Sequence, residues 1–299
     1  MKNAIYTLYL VLIFIDVFAQ KRAEKEEWQS LFNGKDLTGW DLKISGHEIN
    51  DNYKNTFLVE NGMMRVNYKE YQNFDAKYGH IYYKTPYSHY RVRFEYRFQG
   101  NQVSGGASWN VRNSGIMLHS QSAASNGKDQ DFPVSLEMQL LGGLSTGNRA
   151  TGNLCTPGTI VDIDGKLRTA HCIDSDSKTY DGDQWVKAEA IVLGSSLVHH
   201  LIEGDTVLTY QNAKIGGGFL GKSYDFATDK VPNGKEWAKK NGTLLGEGYI
   251  ALQAESHAID FRNIELLNLK GCMNKKARNY KSYYVETDNS ACVYGKKKQ

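Results

Sequence analysis

The sequence predicts an all-β protein, an antiparallel β-sandwich built from many short strands. Three observations carry this. The chain has 29 glycines and only four prolines in 299 residues; its Tyr, Val, Ile and Thr residues recur in short runs between turn signals; and no stretch sustains a 3.6-residue apolar period. With 40% hydrophobic and 12% aromatic residues, it can bury one large core, or a core with a small appendage.

The chain opens on a pattern that predicts a secretory signal over residues 1–19. Lys2 precedes an apolar run from Ala4 to Ile15, and Val17-Phe18-Ala19 offers small residues for cleavage before Gln20. The run is short for a bilayer span and Asp16 interrupts it, so the mature protein is expected to be secreted, periplasmic or on the cell surface, with no stable membrane span. Residues 20–27 read as a charged linker, and the folded domain begins near Trp28.

Strands follow at TFLVENGMMRV, where Asn61-Gly62 signals a hairpin, and at GHIYYKT. In HYRVRFEYRFQ, Tyr90, Val92, Phe94, Tyr96 and Phe98 alternate with Arg91, Arg93, Glu95 and Arg97, the pattern of a half-buried antiparallel strand. Further on, QWVKAEAIVLG, SLVHHLIEGDTVLTYQN, GYIALQAE and IDFRNIELLNL add at least five more, the second turning at Glu203-Gly204-Asp205. Residues 216–242 read as a long loop beside the sheet. So many strands at short spacing without crossover helices imply the antiparallel sandwich.

Charge separates the tail from the rest. Residues 270–299 carry eight Lys/Arg against Glu286 and Asp288, a net of +6, while the whole chain is only +3. Lys2 and Asp16 cancel, so residues 20–269 sum to −3, and no basic patch interleaved with aromatics points to nucleic acid. The domain therefore spans 28–269 and a small basic module spans 270–299.

The four cysteines fall into two local pairs. Behind an export signal this predicts the disulfides Cys155–Cys172 and Cys272–Cys292, closing loops of about 18 and about 21 residues, each worth up to roughly 3 kcal/mol. Zinc on Cys155, His171 and Cys172 is the competing reading. The spacing is not a zinc-knuckle pattern, and adjacent strand residues point to opposite faces.

Chemistry concentrates between Asn113 and Cys172. In SLEMQLL, alternation places Leu136, Met138 and Leu140 on one face and Glu137 and Gln139 on the other; in SGIMLHSQ it groups Met117, His119 and Gln121 against Ile116, Leu118 and Ser120. Near the end of the domain, Gln253 and Glu255 alternate on the strand leading to His257, a strand end able to bring polar groups to the same face.

These segments carry a resemblance. FNGKDLTGW, NSGIMLHSQ, SLEMQLLGG, TGNLCTPGT, the GDQWVKAEAIVLGSSLVHHLIEGD hairpin and GYIALQAESHAIDFRNIELL, in that order from Trp28 to Leu269, resemble the 3-keto-disaccharide hydrolase family, also described as 3-keto-glucoside 1,2-lyases and 3-keto-2-hydroxy-glucal hydratases. The resemblance implies a concanavalin A-like jelly roll that takes carbohydrate as its partner. Within it, His200 fits the sugar-face hairpin, although its turn is Glu203-Gly204 where the pattern has Asn-Gly. The tail, GCMNKKARNYKSYYVETDNSACVYG, resembles a short disulfide-closed module at the ends of secreted bacterial proteins, with Asn274 and Lys275 in place of Asp and Pro.

A 3-keto sugar has an acidified C2 proton, so cleavage by elimination across C1–C2 needs a base at C2, stabilisation of the enediolate and an acid at the glycosidic oxygen. Glu137, His119 and His257 are the expected acid/base groups, and the same three are the donors available to a divalent metal. Gln139, Asn113, Gln253, His200 and Trp109 are the expected sugar contacts. The alternative role for Glu137 is an ion pair with an arginine such as Arg262. A retaining glycosidase needs two carboxylates about 5 Å apart, typically alternate residues of one strand, and the neighbours of Glu137 at that spacing are Ser135 and Gln139. A non-catalytic carbohydrate-binding module is the second functional reading, stacking sugars on Trp109, Tyr83 or Trp185.

Overall fold

The computed structural model describes residues 25–217, 225–226 and 230–295. The predicted signal with its cleavage point, and lysines 296–298, lie outside the described residues. In chain order the strands begin with β1 Gln29–Ser30, β2 Trp40–Ile44, β3 Phe57–Glu60, β4 Met63–Val66, β5 Gly79–Tyr83, β6 His89–Phe98, β7 Asn113–Ser120 and β8 Leu136–Leu141. They continue with β9 Asn153–Cys155, β10 Thr159–Ile163, β11 Lys166–Arg168, β12 Cys172–Ile173, β13 Val186–Leu193, β14 Leu197–Ile202 and β15 Asp205–Ile215. After a short helix, α1 Gly234–Lys239, come β16 Tyr249–Ala254, β17 Ile259–Asn268, β18 Lys270–Gly271 and β19 Glu286–Thr287.

Two large sheets enclose the core, the all-β jelly-roll sandwich of concanavalin A type that the sequence predicts. The larger runs β11-β10-β15-β14-β13-β6-β17-β4-β3, with β1 also on β17, and the smaller runs β12-β9-β8-β7-β16-β5-β2. Strand β6 sits mid-sheet between β13 and β17 and buries every second residue, Tyr90 to Phe98, as its alternation requires. These side chains meet Ile116 and Leu118 of β7, Leu136, Met138 and Leu140 of β8, and Ile250, Leu252 and Ala254 of β16 in one continuous core.

The face of the smaller sheet turned away from that core is itself largely covered. All eight residues of β7 are buried, and Met117, Tyr82 and Ala251 form an apolar cluster with Ala123 from the segment that follows β7. Polar side chains on this face are thus held in nearly dry surroundings on a stiff support.

Both predicted disulfides are present. Cys155–Cys172 staples β9 to β12 at directly opposed positions, and Cys272–Cys292 closes the tail. The tail folds back on the sandwich: β18 and β19 pair in parallel, the Val285 N–H donates to the Leu269 carbonyl, and the Leu269 N–H donates to that of His89. Residues 216–242 are not the plain loop the sequence suggests, since they contain α1, whose Trp237 stacks on Phe226 with ring centroids 5.9 Å apart.

Removing the staple, as in a Cys155→Ala/Cys172→Ala variant, should lower the unfolding free energy by about 3 kcal/mol in denaturant titrations. An unchanged midpoint would mean that the loop between β9 and β12 is held by other contacts.

Candidate functional site

The site is assembled from neighbouring strands of the smaller sheet. In β8, Leu136, Met138 and Leu140 point into the core, which sends Glu137 and Gln139 to the outer face. Across the ladder, Glu137 lies opposite Met117 and Cys155, and Gln139 lies opposite Gly115 and Asn153. Gly115 matters because it has no side chain: a Cβ there would come within 2.5 Å of Glu137 Oε1 and 2.8 Å of its Cγ. The carboxyl group therefore lies over the glycine.

From the end of β16, Glu255 reaches the same place. Together with Trp109, Asn113, Phe132, Glu137, Gln139, Pro157, His171 and the Cys155–Cys172 disulfide, it lines a cleft of about 280 Å³. Trp109 is 54% exposed in this cleft. Glu137 and Glu255 are almost completely buried, and among the described residues no arginine or lysine pairs with either. Burial pushes the Glu137 carboxyl up to about 8. Burial, and then the Glu137 charge, push Glu255 well above the carboxylate range. At neutral pH the two hold their protons and face an uncharged pocket.

Polar atoms with no hydrogen-bond partner among the described residues gather here. They are Asn113 Oδ1, Glu255 Oε2 and both amide atoms of Gln253, all buried. A buried polar atom left unpaired costs roughly 1–3 kcal/mol, so such a concentration marks groups placed for something that binds.

Of the expected site residues, Glu137, Gln139, Asn113 and Trp109 line one cleft, and Gln253 sits on the same strand as its neighbour Glu255. The three histidines go elsewhere. His119 adopts a left-handed backbone, φ 48°, which breaks the two-residue alternation. Its Nε2 lies 3.1 Å from the Gly194 carbonyl, and its ring meets Tyr90 of the core edge-on. His257 follows Ser256, another left-handed residue, and packs edge-on against Phe98. His200 is inside the sandwich, with Nδ1 2.9 Å from the Gly152 carbonyl and Nε2 3.0 Å from the Tyr210 hydroxyl. Burial lowers all three to about 4, so they are neutral rings of the interior.

His119, Glu137 and His257 consequently do not converge on a metal, and among the described residues no group of three His, Cys, Asp or Glu side chains does. Cys155 and Cys172 are bonded to each other and not to zinc. Arg262 pairs with Glu95 at 2.6 Å on the larger sheet, which removes it as a partner for Glu137. Trp185 is on that sheet too, between the guanidinium groups of Arg97 and Arg262. Tyr83 packs edge-on to Trp40.

Sequence reasoning looked for a second carboxylate on the strand of Glu137 and found none; it lies two strands away, across the side-chain-free gap of Gly115. Its signal was the alternation of Gln253 and Glu255. Phe132, Pro157 and His171 came from loops and had no periodicity to betray them.

With this geometry in view, comparison with known proteins is informative. Residues 27–267 match the 3-keto-alpha-glucoside-1,2-lyase-like domain. The chain belongs to that family. Similar solved structures include one named as a candidate glycosyl hydrolase from Parabacteroides distasonis ATCC 8503, 18% identical over 81% of this chain and 94% of that one, with a TM-score of 0.47. Another is the carbohydrate-binding module CBM66 from Bacillus subtilis, 10% identical over 77% of this chain and 96% of that one, with a TM-score of 0.41. No curated protein matches the chain. Membership in the 3-keto-alpha-glucoside-1,2-lyase-like family makes this a carbohydrate-active protein.

The carboxyl pair has a measurable thermodynamic sign. The folded-state pKa of Glu137 is raised from the ordinary 4.5 to about 8, so the stability tied to its protonation is complete below about pH 4.5 and is lost as pH rises through about 8. Glu137→Gln escapes that loss. The melting temperature of the variant should therefore climb relative to the parent between pH 4.5 and 8, whereas a drop at pH 8 would show that the carboxylate is paired after all.

Proposed function

We propose that this protein cleaves 3-keto-glycosides by elimination across C1–C2 followed by hydration, a net hydrolysis, with Glu137 as the base at C2 and Glu255 as the acid at the glycosidic oxygen. The observation that carries the reading is the desolvated Glu137–Glu255 pair over Gly115 in a sugar-sized cleft. A base that removes a proton from carbon gains from a raised pKa, and burial supplies it. An acid must keep its proton until the leaving oxygen needs it, and Glu255 is pushed higher by its neighbour's charge.

The steps balance on these two groups. Glu137 takes the C2 proton, and the electron pair moves onto the C3 oxygen as an enediolate. That pair returns to form the C1–C2 double bond as the C1–O bond breaks, and the leaving oxygen takes the proton of Glu255. Glu137 is now protonated and Glu255 ionised. Water adds at C1, giving its proton to Glu255, while Glu137 returns a proton to C2, so both groups end as they began. The family membership points to the 3-keto sugar, and the amides of Gln139, Asn113 and Gln253 supply the neutral hydrogen bonds that hold its oxygens. Trp109, exposed at the cleft, offers a ring face to the sugar or aglycone.

The same reading places the protein outside the cytoplasm, in an oxidising compartment where its two disulfides persist. It is a sugar-cleaving protein of the cell exterior or periplasm.

Glu137→Gln keeps volume and hydrogen bonding but removes the base, so turnover of a 3-keto-glucoside should fall by about 10²-fold or more. For the parent, kcat/KM should rise with pH up to about 8, because only the ionised carboxylate abstracts the proton. Near-parental turnover in the variant would take Glu137 out of the mechanism and favour a sugar-binding module.

Gly115→Ala tests the support separately. Its new Cβ would stand 2.5 Å from the present position of Glu137 Oε1, so the carboxyl must move, and a displacement of that size costs about 10²-fold in turnover. An alanine variant that is fully active would show that the placement of Glu137 over residue 115 is not what catalysis uses.

A further inference from the structure

One buried polar group lies outside the machinery assigned so far and beside it. His80 of β5 is opposite Gln253 of β16 in the ladder and is 1% exposed, and its Nε2 has no hydrogen-bond partner among the described residues. On its other side it faces Lys43 of β2, whose ammonium is already bound to the Ile44 and Lys128 carbonyls. Gln253 is fully buried with both amide atoms unpartnered, and its strand continues into Glu255. Phe132 meets the imidazole edge-on at 6.3 Å and is also a wall of the cleft. Two adjacent side chains, carrying three polar atoms unpartnered among the described residues, therefore lie on the outer face beside Phe132 of the cleft wall and on the strand that leads to Glu255.

We propose that His80 and Gln253 form an oxygen-binding pair for the sugar, donating hydrogen bonds to the C3 oxygen as it takes up charge during elimination. The inference rests on the elimination reading and adds to it the group that holds the enediolate, which the carboxyl pair does not supply because Glu137 is engaged at C2 and Glu255 at the glycosidic oxygen. The chemistry suits the task. An amide N–H and an imidazole N–H are neutral donors already fixed on adjacent strands, so they need no reorganisation when charge develops. Burial, and secondarily Lys43, lower the imidazole to about 3, so it remains a neutral ring that exchanges no proton with the substrate. A 3-keto sugar is distinguished from its parent glycoside at this one atom, where a carbonyl accepts two hydrogen bonds and a hydroxyl must also donate. The pair thus favours the 3-keto sugar over its parent glycoside.

A purely structural role predicts the opposite stability effect. Removing a satisfied buried polar group destabilises a protein, whereas removing an unsatisfied one relieves a desolvation cost. The test uses His80→Phe and Gln253→Leu in the full chain, with steady-state kinetics on a 3-keto-glucoside and thermal unfolding measured on the same preparations. The expected result is a fall in kcat of about 10²-fold, the scale for losing one oxyanion donor, with KM much less affected and the melting temperature held or raised. His80→Gln, which restores a donor, should recover part of kcat. Parental kcat in either substitution would overturn the proposal, and so would a loss of activity that tracks a lower melting temperature in both. Lack of turnover by the parent protein would instead remove the elimination reading and the role of the pair with it, an outcome the parent assay alone identifies.

Discussion

Desolvation of two carboxyl groups is the constraint around which this protein is arranged. An ionised carboxylate moved into a dry interior loses several kcal/mol of hydration, so a buried acid either finds a cation or keeps its proton. Among the described residues, Glu137 and Glu255 have no cation. What keeps them in place is covalent and steric: a strand on each side of β7, a glycine at the point where the carboxyl must lie, and a disulfide bonded through Cys155, directly across the ladder from Glu137.

The opposite sheet shows the other solution to the same problem. Its outer face carries a ladder of arginines and acids in which nearly every charge is neutralised locally. Buried Asp260 receives Arg65 and Arg97, Glu95 receives Arg262, and Glu265 receives Arg93, while Trp28 and Trp185 stack on the guanidinium groups. Each of these acids has an arginine partner, which Glu137 and Glu255 lack among the described residues. The contrast between the two faces of one sandwich separates a structural surface from a chemical one more sharply than composition does.

This contrast also explains what could be read in the sequence. The strands with strict alternation, β6 and β8, were legible because one buried face and one polar face leave a period of two in the chain, and the fold and the position of Glu137 followed from them. The cysteine pairs were legible because their partners are local. His119, expected beside Glu137, was lost to a single left-handed residue, since one φ of 48° reverses the face of a side chain and nothing in SGIMLHSQ announces it. His200 was misplaced for a different reason: β14 faces its second histidine into the core, where two hydrogen bonds satisfy it, and an apolar strand with an inward histidine looks the same in sequence as one with an outward histidine. Glu255 is brought to the cleft, and His80 to the strand beside it, by strand order alone, β5-β16-β7-β8, and the pairing of distant segments is not written in any local pattern.

The central claim is that a proton leaves C2 of the sugar, and it can be tested without any variant. A 3-keto-glucoside carrying deuterium at C2 should release its aglycone several-fold more slowly than the unlabelled sugar, because the C2–H bond must break before the C1–O bond does. Equal rates of aglycone release from the two sugars would mean that the glycosidic bond is broken by direct displacement and that the buried carboxyl pair serves some other chemistry.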